Sequence, residues 1–308
     1  MDYKITKELL SDYCLPRENT SHKGDYGHAL LICGCDSMPG AASLTTGAAL
    51  KSGCGLVTLH SSAYACQISA VANPSAILSI DDSPCFSQVE FNLSKYNAVG
   101  VGPGLGKDSQ SKVALEELME SCYEADVPMV LDADALNIIA ENRWIDEIPK
   151  GFVLTPHDGE LARLISWSNE EDKVRQTQKL ADETQSVVIS KGYHTKVFIP
   201  DEQFPYENTT GNPGMAKGGS GDVLTGLITG LLARGYKLDI AAKMGVWIHG
   251  YAGDCCSQKF GMEAYSSKDL IDHLWMGFKA LGSNGAASSS GFQSPRMQCG
   301  CGNYVPLG

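Results

Sequence analysis

Residues 218–222, Gly-Gly-Ser-Gly-Asp, put three glycines, a hydroxyl and one carboxylate in five consecutive positions. They open an amphipathic stretch whose apolar residues fall at 223, 224, 227, 228, 231 and 232, with Arg234 and Gly235 at its end. That spacing predicts a helix with one buried face and a normal C-terminal stop. Glycines without Cβ atoms let the backbone approach a ligand closely and take positive φ. The free N–H groups of the first turn then face the ligand, and the helix dipole favours an anion, so a phosphate is the expected guest. Asp222 at the head of the helix has two readings. It can cap the helix, as an opening Asp often does. It can also act as a general base beside a phosphoryl group, taking the proton of an attacking hydroxyl.

The elements that must position this stretch read as short strands alternating with helices. Continuous apolar runs at 28–34, 55–60, 97–101, 128–131, 152–155 and 187–190 are expected strands, with 196–199 an antiparallel partner of the last across a turn at Gly192. Helices are expected over 41–52, 108–125, 134–141, 158–165, 170–185, 239–258 and 267–281, with a further short helix inside 1–22. In the helix 108–125, Val113, Leu115, Leu118 and Met119 form the expected inner face. Unbroken apolar strands separated by helices imply a mostly parallel sheet covered on both faces. In such sheets ligands bind beyond the carboxyl ends of the strands. The loops that leave the strands, 34–40, 102–107, 132–134, 155–160, 191–195 and 211–222, hold nearly all the unusual residues, so one composite site is expected.

The chain has 308 residues, 43% of them hydrophobic, and a formal charge of −12. An acidic surface offers no general attraction to nucleic acid or to an anionic membrane, so neither is an expected partner. No apolar run reaches the length of a membrane span, and the start has no signal-peptide core, so a cytoplasmic location is expected. The eleven cysteines are scattered, odd in number and without a CxxC pair, which favours reduced core thiols over disulfides or a zinc site. Residues 282–308 carry one charge, Arg296, amid Gly and Ser, and read as a flexible tail behind a domain spanning 1–281.

Familiar nucleotide motifs are missing. No GxxxxGK[ST] occurs, residues 100–106 miss GxGxxG, and GGSGD lacks the flanking glycine of a nucleophile elbow. Seven segments in fixed order nevertheless resemble one family: KGDYGHALLICG at 23–34, SMPGAASL at 37–44, KSGCGLVT at 51–58, VGPGLG at 101–106, LDADALN at 131–137, LTPHDGE at 154–160 and GNPGMAKGGSGDVLTG at 211–226. The chain resembles the ADP- or ATP-dependent NAD(P)H-hydrate dehydratases of the ribokinase-like superfamily over residues 23–280. The resemblance implies an α/β, ribokinase-like three-layer α/β/α sandwich with a mostly parallel central sheet.

The resemblance also implies a nicotinamide-nucleotide repair enzyme, a hydro-lyase. Its substrate would be the S-epimer of NADH hydrate or NADPH hydrate. ADP or ATP would phosphorylate the 6-hydroxyl, with Mg2+ as cofactor, and phosphate would then leave with AMP or ADP as the other product. By the same resemblance Asp222 is the base and a substrate contact, and Ala41, Gly104, Gly106 and His157 line the substrate. Lys191, Gly192, Tyr193, His194 and Thr195 match the nucleotide segment, joined by Asn212, Gly218, Gly219, Ser220 and Gly221. Lys191 and Lys217 are expected to bring positive charge to the phosphates. Asn212 and Asp132 either shape the site or hold Mg2+ through water, an Asp before a helix being also a common cap; the metal ligands are left unassigned. A homo-oligomer, expected as a tetramer, and a separate NAD(P)H-hydrate epimerase are the implied partners, since the epimerase domain fused in many relatives has no counterpart in this sequence. Two features depart from the family pattern: the tail after 282, and Asp158 where proline is common. A kinase of the same superfamily, acting on a vitamin-precursor alcohol, shares the glycine-and-Asp logic, and a non-catalytic nucleotide-binding protein on the same fold is the alternative of another class.

Overall fold

The computed structural model describes residues 3–89 and 91–282. Twenty elements follow in chain order: β1 (Lys4–Ile5), α1 (Lys7–Ser11), β2 (His28–Ile32), α2 (Pro39–Leu50), β3 (Leu56–Ser62), α3 (Ala63–Ala72), β4 (Ile77–Asp81), β5 (Ala98–Val101), α4 (Ser109–Glu124), β6 (Met129–Leu131), α5 (Ala133–Asn142), β7 (Val153–Leu154), α6 (Asp158–Leu164), α7 (Glu170–Thr184), β8 (Val187–Ser190), β9 (Lys196–Phe198), β10 (Tyr206–Asn208), α8 (Ser220–Ala233), α9 (Leu238–Phe260) and α10 (Ser267–Gly282). The strands make one sheet in the order β4-β3-β2-β5-β6-β7-β8-β9-β10-β1. From β4 to β8 all pairings are parallel, and β9 runs antiparallel to both β8 and β10. The expected mostly parallel sheet and the antiparallel 196–199 partner are both present.

Alternation along each strand divides the apolar side chains between two cores. Ala29, Leu31, Val57, Leu59 and Val130 face α2, α3, α8, α9 and α10. Leu30, Ile32, Val99, Val101 and Leu131 face α4, α5, α6 and α7. Helices therefore cover both faces, as unbroken apolar strands require. The helix α8 lies centrally against β5 and β2, and small residues let it approach: a Cβ at Gly100 would strike Thr229, and one at Gly226 would strike the Thr45 carbonyl of α2.

The sheet changes direction of winding between β2 and β5, the neighbours that separate β3 and β4 from β6, β7 and β8. A crevice opens beyond their carboxyl ends at such a point. The loops that leave the two strands meet there, with Gly34 donating its N–H to the Pro103 carbonyl at 2.8 Å.

Some sequence expectations are corrected. Val113 is 65% exposed, because the inner face of α4 is Ser111, Ala114, Leu115, Leu118, Met119 and Cys122. Two positions from Leu115, Val113 projects nearly opposite to it at 100° per residue. The elements α3, β4, β1 and β10 were not anticipated; β1 and β10 are two and three residues long. The tail expected over 282–308 falls outside the described residues except for Gly282, which ends α10. The described cysteines are all free thiols.

Candidate active site

The helix α8 starts three residues earlier than a cap at Asp222 would place it. Gly219 is the N-cap, at φ 85°, and offers no side chain to the first-turn N–H groups. Ser220, Gly221 and Asp222 then occupy the first three helical positions. Asp222 is thus inside the first turn rather than the cap, and the cap reading is corrected. No cap side chain competes with a ligand for the opening N–H groups, of which that of Ser220 already donates to the Lys217 carbonyl at 3.3 Å. This end of α8 forms one wall of a cleft of about 770 Å³ beyond the carboxyl ends of β6, β7 and β8.

The other walls come from loops that the sheet brings together. The loops after β7 and β8 run side by side: His157 and Lys191 form a parallel bridge, and Lys191 donates its N–H to Pro156 at 2.9 Å. His157 opens α6, its Nδ1 accepting from the N–H groups of Gly159 and Glu160, while the Glu160 carboxylate accepts from the His157 N–H at 2.9 Å. Its ring is still half exposed and lines the cleft. A capping role and a cleft-lining role coexist in one side chain.

Beneath Asp222 lies a buried charge network. Lys191 Nζ sits 2.6 Å from Asp132 Oδ1 and 3.7 Å from Glu160 Oε2. The second oxygen of Asp132 accepts from the Thr225 hydroxyl at 2.7 Å. Asp132 precedes α5 yet makes no side-chain cap. Its oxygens bond Lys191 and Thr225 instead of the first-turn N–H groups of α5, which corrects the reading of it as a cap. Its carboxyl is held below the usual range: burial opposes ionisation, and the Lys191 charge with the hydrogen bonds from Lys191 and Thr225 outweighs it. Asp222 behaves oppositely. Burial, followed by the Asp132 charge, pushes its carboxyl up to about 6, with Lys191 pulling the other way. A base tuned toward neutrality at an anion-binding helix end is suited to proton abstraction during phosphoryl transfer.

Most of the nucleotide-segment residues meet here. Lys191, Gly192, Tyr193, Thr195, Asn212, Gly218, Ser220 and Gly221 line the cleft with Asp222 and His157. His194 does not; its ring lies against Tyr193, with Nδ1 3.7 Å from Glu207. Gly219 stands just behind, where a Cβ would strike Leu44 and crowd Ser267. Asn212 shapes the loop: it donates to Asp254 at 2.9 Å and accepts from the Gly214 N–H and the Tyr265 hydroxyl. Lys217 lines the same cleft. Its ammonium donates to the carbonyls of Met262, Glu263 and Tyr265 and lies over the Tyr265 ring, so it also pins two loops together.

Ala41, Gly104 and Gly106 are not in that cleft's lining. They sit at the switch-point crevice, where a Cβ at Gly104 would lie 2.7 Å from the Ala41 Cβ. Gly106 donates its N–H to Asp134 at 3.0 Å.

Three site residues carry no assignment from the sequence. Thr225 stands three positions after Asp222, a helical spacing that puts both on one side of α8. Glu160 stands three after His157, the spacing of a capping box. His249 had no such signal. It lies in the apolar middle of α9, lines the cleft, and approaches the Ser220 hydroxyl at 3.4 Å. Burial pushes its imidazole down to about 4, so it is neutral at ordinary pH.

Comparison with known proteins gives a consistent result. Residues 29–275 match a carbohydrate-kinase-type family model described as NAD(P)H-hydrate dehydratase. The bifunctional NAD(P)H-hydrate repair enzyme Nnr of Moorella thermoacetica is 38% identical over 270 residues, covering 84% of this chain and 50% of that protein. The ADP-dependent (S)-NAD(P)H-hydrate dehydratase of Neisseria meningitidis is 36% identical over 255 residues, covering 80% of this chain and 83% of that protein. The chain thus spans about half the length of the bifunctional relatives it matches. Among solved structures, the ADP/ATP-dependent NAD(P)H-hydrate dehydratase of Bacillus subtilis, co-crystallised with ATP and Mg2+, superposes with a TM-score of 0.77 at 29% identity, covering 90% of this chain and 98% of that one. A ribokinase of Arabidopsis thaliana shares the ribokinase-like fold alone, with a TM-score of 0.54 at 13% identity.

Proposed function

Because this chain belongs to the NAD(P)H-hydrate dehydratase family, we propose that it dehydrates the S-epimer of NADH hydrate or NADPH hydrate at the expense of ADP or ATP. The observation that carries this reading is the position of Asp222: a partly buried carboxyl pushed up to about 6, in the first turn of a helix whose glycine N-cap puts no side chain on the opening N–H groups.

The chemistry runs in two stages. The 6-hydroxyl oxygen of the hydrate attacks the terminal phosphorus of the nucleotide, Asp222 accepts the hydroxyl proton, and the P–O bond to the departing AMP or ADP breaks. The ring-nitrogen lone pair then expels phosphate from C6, and loss of a proton from C5 restores the dihydropyridine. Hydroxide is a poor leaving group near neutral pH and phosphate a good one, which is why a nucleotide is spent. The protein's share is positioning and charge stabilisation. The N–H groups around Gly218, Gly219, Ser220 and Gly221 bind the moving phosphoryl group, and the Lys191 ammonium faces it from below. His157 and the switch-point residues Ala41, Gly104 and Gly106 are assigned to the hydrate, and Gly192, Tyr193, Thr195 and Asn212 to the nucleotide. His194 would reach the nucleotide only through movement of its exposed loop.

Mg2+ is proposed to arrive as the Mg–nucleotide complex. No group of three His, Cys, Asp or Glu side chains is placed to hold an ion among the described residues. Phosphate oxygens and water, the usual shell of this ion, would supply its ligands. An NAD(P)H-hydrate epimerase activity would supply the S-epimer, and no described helix is long and apolar enough to cross a membrane.

The deciding experiment follows absorbance at the reduced-nicotinamide band. Protein is mixed with NADH hydrate, Mg2+ and either ADP or ATP. A nucleotide-dependent rise establishes the dehydratase and names its donor. A flat trace from folded protein overturns it and directs the search to alcohol substrates of a kinase.

A further inference from the structure

We infer that the buried Asp132–Lys191 pair, anchored by Thr225 and shared with Glu160, is the positioning unit that sets the charge state of Asp222. The inference rests on the reading of Asp222 as the base, but it concerns four side chains, of which Asp132, Thr225 and Glu160 touch neither reacting atom.

The geometry is specific. Asp132 is 1% exposed, and its two oxygens point in different directions, one to Lys191 and one to Thr225 of α8. Thr225 is fully buried, three residues after Asp222 on the same helix. The carboxylate of Asp132 is therefore tied to the helix that carries the base. Gly221 permits the close approach: a Cβ there would lie 3.3 Å from Lys191 Nζ and 3.7 Å from Asp132 Oδ2. The ion pair thus abuts the peptide that precedes Asp222. A buried lysine held only to bind phosphate would not need one carboxylate at 2.6 Å and another at 3.7 Å. Two carboxylates keep that ammonium charged in a dry setting, where burial alone would strip its proton.

The titratable groups of the network around Asp222 come from four elements. Asp132 and Asp134 lie at the start of α5, Lys191 follows β8, Glu160 is on α6, and His249 on α9 is neutral. Asp132 and Asp134 push the Asp222 proton on, while Lys191 pulls it off. Asp132 has a double effect, because it repels the Asp222 charge directly and cancels much of Lys191. Removing the Asp132 charge makes Asp222 a stronger acid and a weaker base. Removing the Lys191 charge does the reverse.

The test is a titration of the Asp222 carboxyl carbon by NMR on the whole protein, assigned by loss of the signal in Asp222→Asn. It needs no substrate. Asp132→Asn keeps the shape and one of the two acceptor oxygens, and its midpoint is expected about 1–3 pH units below the parent, the usual effect of one close charge. Lys191→Met is expected to move the midpoint up. Glu160→Gln is expected to move it down by less, and serves if Asp132→Asn does not fold. The acid limb of kcat/KM against pH should shift with the Asp132→Asn midpoint. A folded Asp132→Asn protein, or failing that Glu160→Gln, with the parent midpoint overturns the inference, even if it is less stable or less active, since a merely structural role would leave the titration in place. If the parent protein turns over no hydrate while the midpoints move in opposite directions, the tuning stands and the dehydratase reading falls.

Discussion

At Asp222, catalysis and stability pull in opposite directions. Asp222→Asn removes the base without changing size, and turnover is expected to fall by roughly 10²–10⁴-fold, the worth of a positioned general base. Near-normal steady-state turnover would remove Asp222 from the mechanism. The same substitution is expected to stabilise the fold at neutral pH. The folded carboxyl titrates near 6 against an ordinary value of 3.8. The folded state therefore holds the proton more tightly, and the parent loses stability as pH rises between about 4 and 6. Asparagine does not ionise and escapes that loss. The melting temperature of Asp222→Asn should exceed the parent's by a few degrees above pH 6 and match it below about pH 4. An equal difference at both ends would show that burial of the charge is not the cause. For activity, the base must be unprotonated, so kcat/KM in the parent should climb through about pH 6 and flatten above it.

Among the elements, α8 does most to place the site, and its packing depends on the absence of side chains. Gly226 faces the Thr45 carbonyl of α2 so closely that any Cβ would overlap main-chain atoms. A flexible neighbour can rotate away, but a helix backbone cannot. Gly226→Ala is expected to push α8 off α2 and cost about 1–3 kcal/mol, the range for overpacking a core. Urea denaturation would measure it, and an unchanged midpoint would show that the two helices separate freely. Because α8 also carries Asp222, the substitution should lower activity as well. Val113 of α4 shows the opposite case of an apolar side chain that is not core. Hydrophobicity alone placed it inside, whereas the turn of the helix places it outside.

The whole molecule converts a linear order of loops into two adjoining sites. Reversal of the winding between β2 and β5 gathers Ala41 and Gly104 into one crevice, and the run of β6, β7 and β8 lines up Asp132, His157 and Lys191 in the other. A ligand that binds only the folded chain must stabilise it, by about 2.7 kcal/mol at a hundredfold excess over Kd. Mg–ADP or Mg–ATP is therefore expected to raise the melting temperature in a concentration-dependent way. No shift with either nucleotide would remove the cleft from nucleotide binding. Light scattering would test the expected tetramer; a single-chain mass would dismiss it.

The strand and helix order, the mostly parallel sheet and the glycine-rich entry to α8 were legible in the chain, because apolar runs, helical periods and glycine clusters are local signals. The same locality explains the misses. β1 and β10, at two and three residues, are too short to carry a period. The three carbonyls that hold Lys217 come from residues 262, 263 and 265, and no local pattern announces them. His249 reaches the cleft from the centre of an apolar helix. The partners of Asp132 lie 59 and 93 residues away along the chain. The sequence determined which residue types were available for phosphate chemistry and in what order. Only the tertiary structure decided which of their charges stay free and which are spent on each other, because a carboxyl's pKa depends on burial and on charges that folding alone brings near.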